Sequence, residues 1–351
     1  MTDSTHPPRK RHAVAVFGAN GHTGRFVVDE LLKRGHRVVA MGRDAARLSA
    51  AFENAGVELR AADLQDTDAL VRALEGVEAI VNCAGPFLDT AEPMVTAALR
   101  AKVHYLDVSA EQASAQGLFE RFAEAAEAAG TLVLPGVAFY GGFADLLATA
   151  AVAEWPEVDE LRIGIALDAW WPTQGTRLTG RRNTVPRVVI EEGKLTLRGE
   201  TVPTHWDFPT PFGQQEVTEV PFSEIVLIHR HLRATRARTW LNTKPLADLS
   251  NPATPPPMAA DASGRSAQRF MVEVRARRGD EERRVTAGGR DIYGFTAPLV
   301  VEAVERVLSG GGVQAGVRSP GEVFNAADYL CSLASYLDFV PQPSRLRVGA
   351  S

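Results

Sequence analysis

The residues with the clearest chemistry in this 351-residue chain form a short glycine-rich segment. Gly18, Gly21 and Gly24 recur at every third position of the segment GANGHTG, between an apolar run and an amphipathic helical pattern. There the first glycine permits a tight turn, the second lets a pyrophosphate approach the backbone, and the third lets the helix pack closely. The helix N-terminus offers free N–H groups to phosphates, which predicts a dinucleotide site. The predicted cofactor-binding residues of this segment are Gly18, Asn20, Gly21, His22, Thr23 and Gly24.

The choice of dinucleotide depends on the residues that follow the second apolar run. A site for NAD usually has an acidic side chain there, which binds the 2′-hydroxyl of the adenosine ribose. This chain has Arg43 instead, and a guanidinium suits a 2′-phosphate. We therefore expect NADP(H), the alternative being that Arg43 is a solvated loop residue. Asp44 has the position of a helix N-cap, and Asp63 is the candidate partner of the adenine amino group.

Small residues follow the fourth apolar run, in the segment NCAGPF over 82–87. The carboxyl end of this strand lies beside the point where strand order reverses in an open parallel sheet, and ligands bind there. We expect Cys83, Ala84, Gly85 and Pro86 to line the nicotinamide ribose. Because no histidine lies near Cys83 in the sequence, the pattern does not favour a nucleophilic role for its thiol.

The elements that must position these residues alternate between strand and helix patterns over the first 150 residues. Six short apolar runs with helical spacing between them predict an α/β fold, a Rossmann-type doubly wound parallel sheet with helices on both faces. After about residue 155 the pattern changes to alternating polar and apolar residues, as over 161–167, 194–197 and 220–231. These segments predict a second α+β domain that contains a mixed or antiparallel sheet. Residues 179–183 are predicted to form a basic loop, the alternative being a contact with a carboxylate or phosphate of the substrate.

Together these residues resemble the saccharopine dehydrogenase-like family of NADP-dependent oxidoreductases. The resemblance covers most of residues 12–150 and the middle of the chain only loosely. The run VNCAGPF followed by VHYLDVSAEQ is much more specific than the glycine pattern, which many families share. The segments that carry the resemblance are GANGHTG (18–24), MGR (41–43), VNCAGPF (81–87), VHYLDVSAEQ (103–112), LPGVAFYGGFADLL (134–147) and DIYGFTAP (291–298).

The resemblance implies an arrangement of domains and a reaction. The nucleotide-binding domain would cover 12–145, a substrate and dimerisation domain with a mixed sheet would cover 146–290, and C-terminal helices over 291–351 would return to the first domain. The implied chemistry is hydride transfer to a C=N, C=O or C=C bond of a small-molecule substrate. The implied assembly is a homodimer.

The resemblance also suggests catalytic candidates. In relatives, two side chains are proposed acid–base groups: a lysine just before the fifth strand and an aspartate after the sixth strand. Lys102 matches the position of the lysine. Tyr140 stands where many relatives carry that aspartate, and Asp145 matches a second acidic position. A phenol can donate a proton but is a poor base at neutral pH, so we expect no saccharopine formation.

Alternatives stay open for each candidate. Lys102 fits a surface residue at a helix end, Tyr140 a packed aromatic side chain, and Asp145 a helix N-cap. The missing aspartate also keeps open a catalytically silent NADP(H)-binding regulator or assembly protein.

Composition indicates which partners and which cellular compartment to expect. Lys plus Arg is 38 and Asp plus Glu is 43, so the net charge of −5 favours neither nucleic acid nor an anionic membrane as a partner. The two cysteines predict reduced thiols and a cytoplasmic location, and no apolar run suggests a membrane span. We expect residues 1–11 to form a mobile tail. His229 and His231 have no third ligand nearby in the sequence, so no metal site is predicted.

Overall fold

The computed structural model describes residues 11–53, 55–310, 314–339 and 344–347. The predicted tail over 1–11 therefore lies outside the described residues except for Arg11. The helices are α1 (His22–Lys33), α2 (Ala45–Phe52), α3 (Thr67–Ala73), α4 (Phe87–Ala101), α5 (Gln112–Ala129), α6 (Ala144–Val152), α7 (Gln174–Arg182), α8 (Ser223–His229), α9 (Thr243–Ser250), α10 (Ile292–Leu308), α11 (Pro320–Val323) and α12 (Ala326–Ser332).

The strands divide between two sheets. They are β1 (Ala13–Phe17), β2 (Arg37–Gly42), β3 (Glu58–Ala61), β4 (Ala79–Asn82), β5 (His104–Asp107), β6 (Leu132–Leu134), β7 (Val158–Leu167), β8 (Val188–Glu191), β9 (Lys194–Leu197), β10 (Thr204–Asp207), β11 (Gln214–Glu219), β12 (Ala234–Asn242), β13 (Arg269–Arg278), β14 (Glu281–Arg290), β15 (Gly316–Val317), β16 (Leu337–Phe339) and β17 (Ser344–Arg347).

The first sheet is the predicted parallel sheet. Among the described residues it has the strand order β15-β6-β5-β4-β1-β2-β3, and every neighbouring pair is parallel. Every residue of β1 and β4 is buried, because helices cover both faces. Such strands consist of continuous apolar runs, which is the pattern that the sequence shows. The predicted Rossmann-type fold is confirmed.

The second sheet is mixed, as predicted. Its main path runs β10-β11-β12-β7-β13-β14-β16 within the described part of the chain, and β8, β9 and β17 pair at its edges. The β7–β12 pair is parallel, whereas β7 and β14 both pair with β13 in antiparallel fashion. Two chain regions therefore build two different kinds of sheet.

Two local predictions for the middle of the chain are wrong. The predicted strand over 220–231 is largely helix α8, whose residues 223–228 are all buried. A short apolar run that is buried on all sides has no polar face to reveal its period, so strand and helix cannot be distinguished from the pattern. The predicted basic loop over 179–183 instead forms the end of α7.

The C-terminal region connects the two sheets. Helix α10 lies against α1, where Arg34 forms ion pairs of 2.9 Å with Glu302 and 2.6 Å with Glu305. Strand β15 extends the first sheet, whereas β16 and β17 pair with β14 in the second sheet. The region thus contributes strands as well as the predicted helices. No helix within the described ranges is long and apolar enough to cross a membrane.

Candidate active site

The glycine segment forms a turn with very little room. Gly18 has a φ of +75°, and its N–H donates to the carbonyl oxygen of Met41 at 2.9 Å. A Cβ on Gly18 would lie 2.9 Å from the Cβ of Ala84, and one on Gly24 would overlap the carbonyl oxygen of Gly18. Helix α1 begins directly after Gly21, so its free N–H groups face the space above this turn. The geometry fits a pyrophosphate cradle.

A cavity of about 610 Å³ begins at this turn, a size within the range of small-molecule sites. It extends past the carboxyl ends of β2, β4 and β5 and continues under α7. The predicted site residues that line it are Gly18, Asn20, Gly21, His22, Thr23, Arg43, Cys83, Ala84, Gly85 and Tyr140. The predicted site residues that do not line it are Gly24, Asp63, Pro86, Lys102 and Asp145.

Two arginines stand at the end of β2. Arg43 and Arg47 are exposed and line the cavity. Asp44 is the N-cap of α2, as predicted, since its carboxylate accepts a hydrogen bond of 3.0 Å from the N–H of Arg47. The sequence analysis did not predict Arg47 as a site residue. The signal available was that Arg47 follows Arg43 by four residues and lies in the first turn of a predicted helix. Asp63 is exposed outside the cavity and accepts a hydrogen bond from the N–H of Gln65.

His22 presents an unpartnered nitrogen beside the glycine turn. Burial lowers the pKa of its imidazole, while the charge of Asp291 acts in the opposite direction, so the ring is neutral near pH 7. Its Nε2 is buried and has no hydrogen-bond partner in the described structure. The ring makes edge contacts with Phe26 and Tyr293 at centroid distances of 5.3 and 5.4 Å. The imidazole is therefore available to a polar atom of a ligand.

Cys83 lies beside the same turn but is not activated. Burial raises the pKa of its thiol far above the usual value, and the nearby carboxylate of Asp107 acts in the same direction. The thiolate is the nucleophilic form, so this thiol is a lining group.

Tyr140 carries an unpartnered phenol in the inner part of the cavity. The residue is 7% exposed, and its hydroxyl has no hydrogen-bond partner among the described residues. Burial raises the pKa of the phenol well above 10, and Tyr293 and Glu224 act in the same direction. The group is thus a neutral hydroxyl that can donate a hydrogen bond.

Helix α7 covers the cavity opposite the first sheet. Tyr293 holds the segment before it, since its hydroxyl accepts a hydrogen bond of 3.0 Å from the indole Nε1 of Trp170 and bonds Thr176 at 2.8 Å. A Cβ on Gly85 would lie 2.7 Å from the hydroxyl of Thr179, so the helix approaches the strand end closely. Residues of the second sheet's region, among them Trp170, Thr176 and Thr179, thus form this side of the cavity.

Asp107 is a positioning residue that the sequence analysis did not single out. Its carboxylate accepts hydrogen bonds of 2.7 Å from the N–H of Gly136 and 3.0 Å from that of Ser109. Burial raises its pKa to about 6, and these N–H groups limit the rise. Asp107 thereby fixes the loop between β6 and Tyr140. A polar residue at the carboxyl end of a strand was the available signal.

The structure does not bring Lys102 to the cavity. Lys102 is exposed at the end of α4, and its backbone has the left-handed conformation with a φ of 56°. This position precedes β5, whereas the cavity lies at the carboxyl ends of the strands. The proposed acid–base role of Lys102 is therefore corrected to the surface alternative.

Asp145 lies inside α6, whose N-cap is Phe143, so it is neither an N-cap nor a cavity residue. One carboxylate oxygen lies 2.7 Å from Nε2 of His231 and the other accepts the N–H of Gly321 at 2.7 Å. Burial opposes protonation of His231, but the Asp145 carboxylate outweighs it and raises the pKa of the imidazole above 6.5. The pair joins α6 to the chain after α8 and to α11.

We expect the Asp145–His231 pair to make stability depend on pH. A raised native pKa adds stability that is complete below the unfolded value near 6.5 and is lost as pH rises through the native value. The wild type should therefore have a higher free energy of unfolding than His231→Gln, and this difference should be about 1 kcal/mol larger at pH 6 than at pH 9. Urea unfolding at both pH values measures this. A matching pH dependence in His205→Gln, an exposed histidine, would contradict the assignment.

Comparison with known proteins agrees with this geometry. Residues 18–132 match the NAD(P)H-binding family. Over 38% of the chain, the sequence is 29% identical to the "Probable mitochondrial saccharopine dehydrogenase-like oxidoreductase" of Arabidopsis thaliana, and over 20% it is 32% identical to eugenol synthase 2 of Clarkia breweri. These matches span 33% and 26% of the two relatives' own lengths.

A solved structure extends the comparison to both sheets. Apo saccharopine dehydrogenase (L-Glu forming) from Saccharomyces cerevisiae superposes with a TM-score of 0.67 over 95% of this chain and 100% of that chain, at 14% identity. The fold is that of saccharopine dehydrogenase. The predicted resemblance is confirmed, and residues 18–132 are similar to domains that bind NAD(P)H.

Proposed function

We propose that this protein is an NADP(H)-dependent oxidoreductase that transfers a hydride to an unsaturated carbon of a small molecule, at a C=N, C=O or C=C bond. The observation that carries the proposal is the continuity of the cavity, which runs from the glycine cradle at Gly18 to the unpartnered phenol of Tyr140. The proposed dinucleotide site and the proposed proton donor thus share one continuous cavity. NADPH, when bound, supplies the hydride.

The chain's own residues would bind and orient both reactants. The turn at Gly18 and the start of α1 hold the phosphates, and Gly85 leaves room for a ribose against the strand end. Helix α7 lies over the inner part of the cavity and would limit the access of water there once the reactants are bound, which strengthens electrostatic interactions. Tyr140 donates a hydrogen bond to the atom on which negative charge develops, and its high pKa keeps the proton in place beforehand.

Arg43 and Arg47 support the choice of NADP(H). Both line the cavity where the adenosine ribose of a dinucleotide would lie, and Arg43 forms no ion pair among the described residues. A charge-assisted contact to the 2′-phosphate would then discriminate between the cofactors.

We expect Arg43→Ala to raise the Kd for NADPH by about 10- to 100-fold and that for NADH by less than about 2-fold. Isothermal titration of both cofactors measures this. The matched control is Arg72→Ala, an exposed arginine of α3 outside the cavity, which should bind NADPH as the wild type does. Equal affinity of the wild type for NADH and NADPH would exclude the NADP preference.

A second candidate is a protein that binds NADP(H) without turnover. The separation of Lys102 and Asp145 from the cavity favours it, because the acid–base set that the resemblance suggested is not assembled there. NADPH consumption against a panel of imines, ketones and enoyl compounds distinguishes the two. Tight binding without turnover on any member would favour the second candidate. The homodimer and the cytoplasmic location remain predictions.

A further inference from the structure

Arg187 places a positive charge in the inner part of the cavity. Its partly buried side chain lines the cavity, and the guanidinium lies over the ring of Phe222 at 5.2 Å from the centroid. One nitrogen donates a hydrogen bond to the carbonyl oxygen of Pro221. No ion pair involves Arg187 within the described ranges, and a partly desolvated guanidinium normally has an anion beside it.

Two carboxylates, those of Glu111 and Glu224, lie near this part of the cavity, and neither forms an ion pair with Arg187 within the described ranges. Both oxygens of Glu111 accept hydrogen bonds from the start of α4, at 2.8 Å from the N–H of Phe87 and 3.2 Å from that of Leu88. Glu224 is fully buried, and its Oε1 accepts hydrogen bonds from the N–H of Phe222 and the hydroxyl of Thr239. Its Oε2 has no hydrogen-bond partner among the described residues, and its carboxylate raises the pKa of Arg187 against the effect of burial. Arg187 therefore has donors left for a ligand in the cavity, with the buried carboxylate of Glu224 nearby but in no ion pair with it within the described ranges.

Aromatic rings adjoin Arg187 on one side. The rings of Tyr140 and Phe222 lie 4.2 Å apart at an interplanar angle of 30°, and those of Tyr140 and Trp170 lie 5.4 Å apart at 35°. We call Tyr140, Trp170 and Phe222 the aromatic cluster. These tilted rings line one side of the cavity with apolar surface, which suits a ligand that has a planar unsaturated part.

The anion that Arg187 would bind is not the cofactor's pyrophosphate. Next to Phe222, the hydroxyl of Ser223 donates a hydrogen bond of 3.0 Å to the carbonyl oxygen of Ser109, just after β5. Strand β5 is separated from β1 by β4, so the two strand ends are about 10 Å apart. The glycine turn follows β1. Arg187 thus belongs to the far side of the cavity, beyond the position of a nicotinamide.

We propose that Arg187 binds the carboxylate of a small unsaturated acid whose flat apolar part lies along the aromatic cluster. This inference rests on the proposed function, because it assigns the substrate half of the same cavity. A guanidinium offers two parallel N–H donors to a carboxylate, which fixes the position of the acid as well as its charge. The unsaturated bond beside the carboxylate would then lie near Tyr140.

Direct binding tests the inference without any turnover. The probes are trans-cinnamate and its neutral isostere cinnamamide, titrated calorimetrically into the protein with and without saturating NADPH. We expect cinnamate to bind at least about 10-fold more tightly than the amide, and Arg187→Gln to reduce this ratio to below about 2. Arg187→Lys should retain part of the preference, since it keeps the charge and loses the planar donor pair.

A matched control and a separate cofactor titration distinguish failure of this inference from failure of the proposed function. Arg181→Gln removes an exposed cation from α7 that does not line the cavity, so it should preserve the preference. Equal binding of acid and amide, no binding of either, or a preference that survives in Arg187→Gln would overturn the inference. In each case, NADPH binding by the wild type and by Arg187→Gln would leave the proposed function standing. Failure of the wild type to bind NADPH would contradict the proposed function, and the titrations without cofactor would still decide the role of Arg187.

Discussion

Gly24→Ala is expected to lower the affinity for NADPH on the order of 100-fold, a loss of about 2.7 kcal/mol. The added methyl would overlap the carbonyl oxygen of Gly18 and approach Ala19, and both contacts are to backbone atoms. Backbone in a tight turn cannot rotate away as a flexible side chain can. Helix α1 must therefore move from the turn, which takes its free N–H groups away from the phosphates.

Calorimetric titration with NADPH measures this loss, and thermal unfolding reports the fold. We expect a stability decrease of about 1–3 kcal/mol from overpacking, with the fold retained. The control is Gly199→Ala, because a Cβ there meets nothing within 4 Å. Wild-type affinity in Gly24→Ala would show that the spacing between turn and helix is not critical for the cofactor.

The second large effect concerns the phenol of Tyr140. Tyr140→Phe is expected to lower kcat by about 100-fold, the usual contribution of a positioned proton donor, while the Kd for NADPH changes by less than about 2-fold. The variant should not lose stability, because the buried hydroxyl has no partner in the described structure and its removal leaves no group unsatisfied. Steady-state kinetics on the best substrate of the panel and urea unfolding test both points.

Tyr105 provides the matched contrast. Its hydroxyl is equally buried but donates to Asp107 at 3.0 Å and lies 3.2 Å from the amide nitrogen of Asn82. Tyr105→Phe should therefore lose about 1 kcal/mol of stability.

Because burial holds the pKa of Tyr140 well above 10, ionisation of this phenol should not change the rate between about pH 6 and 9. Full kcat in Tyr140→Phe would exclude it as the proton donor.

Local pattern predicted the first domain because short apolar runs alternate there with helical spacing and with glycine turns. The apolar runs of β1 and β4 and the glycines at 18, 21 and 24 each reflect a requirement that acts within a few residues, such as burial on both faces or a turn without a Cβ. Such requirements can be read without knowing the rest of the molecule. The same holds for Asp44, whose capping role depends only on the helix that follows it.

The resemblance could not place single side chains outside those motifs. Lys102 lies in a segment that resembles the family, but it comes before β5. It is therefore at the amino end of that strand, whereas the cavity lies at the carboxyl ends. Asp145 sits near Tyr140 along the chain, yet the turn of the backbone between them directs its carboxylate to His231. Distance along the chain does not determine which face of a packed layer a side chain reaches.

The sequence by itself determined the parallel sheet, the dinucleotide turn and the arginine at the end of β2, since each depends on residues that are adjacent in the chain. Only the tertiary structure decided the inner half of the site. Tyr140, Arg187 and Tyr293 are far apart in sequence and meet because α7, α8 and α10 pack over the carboxyl ends of the strands. The physical reason is that burial depends on contacts between distant segments, and these contacts place the phenol of Tyr140 and the guanidinium of Arg187 along one cavity.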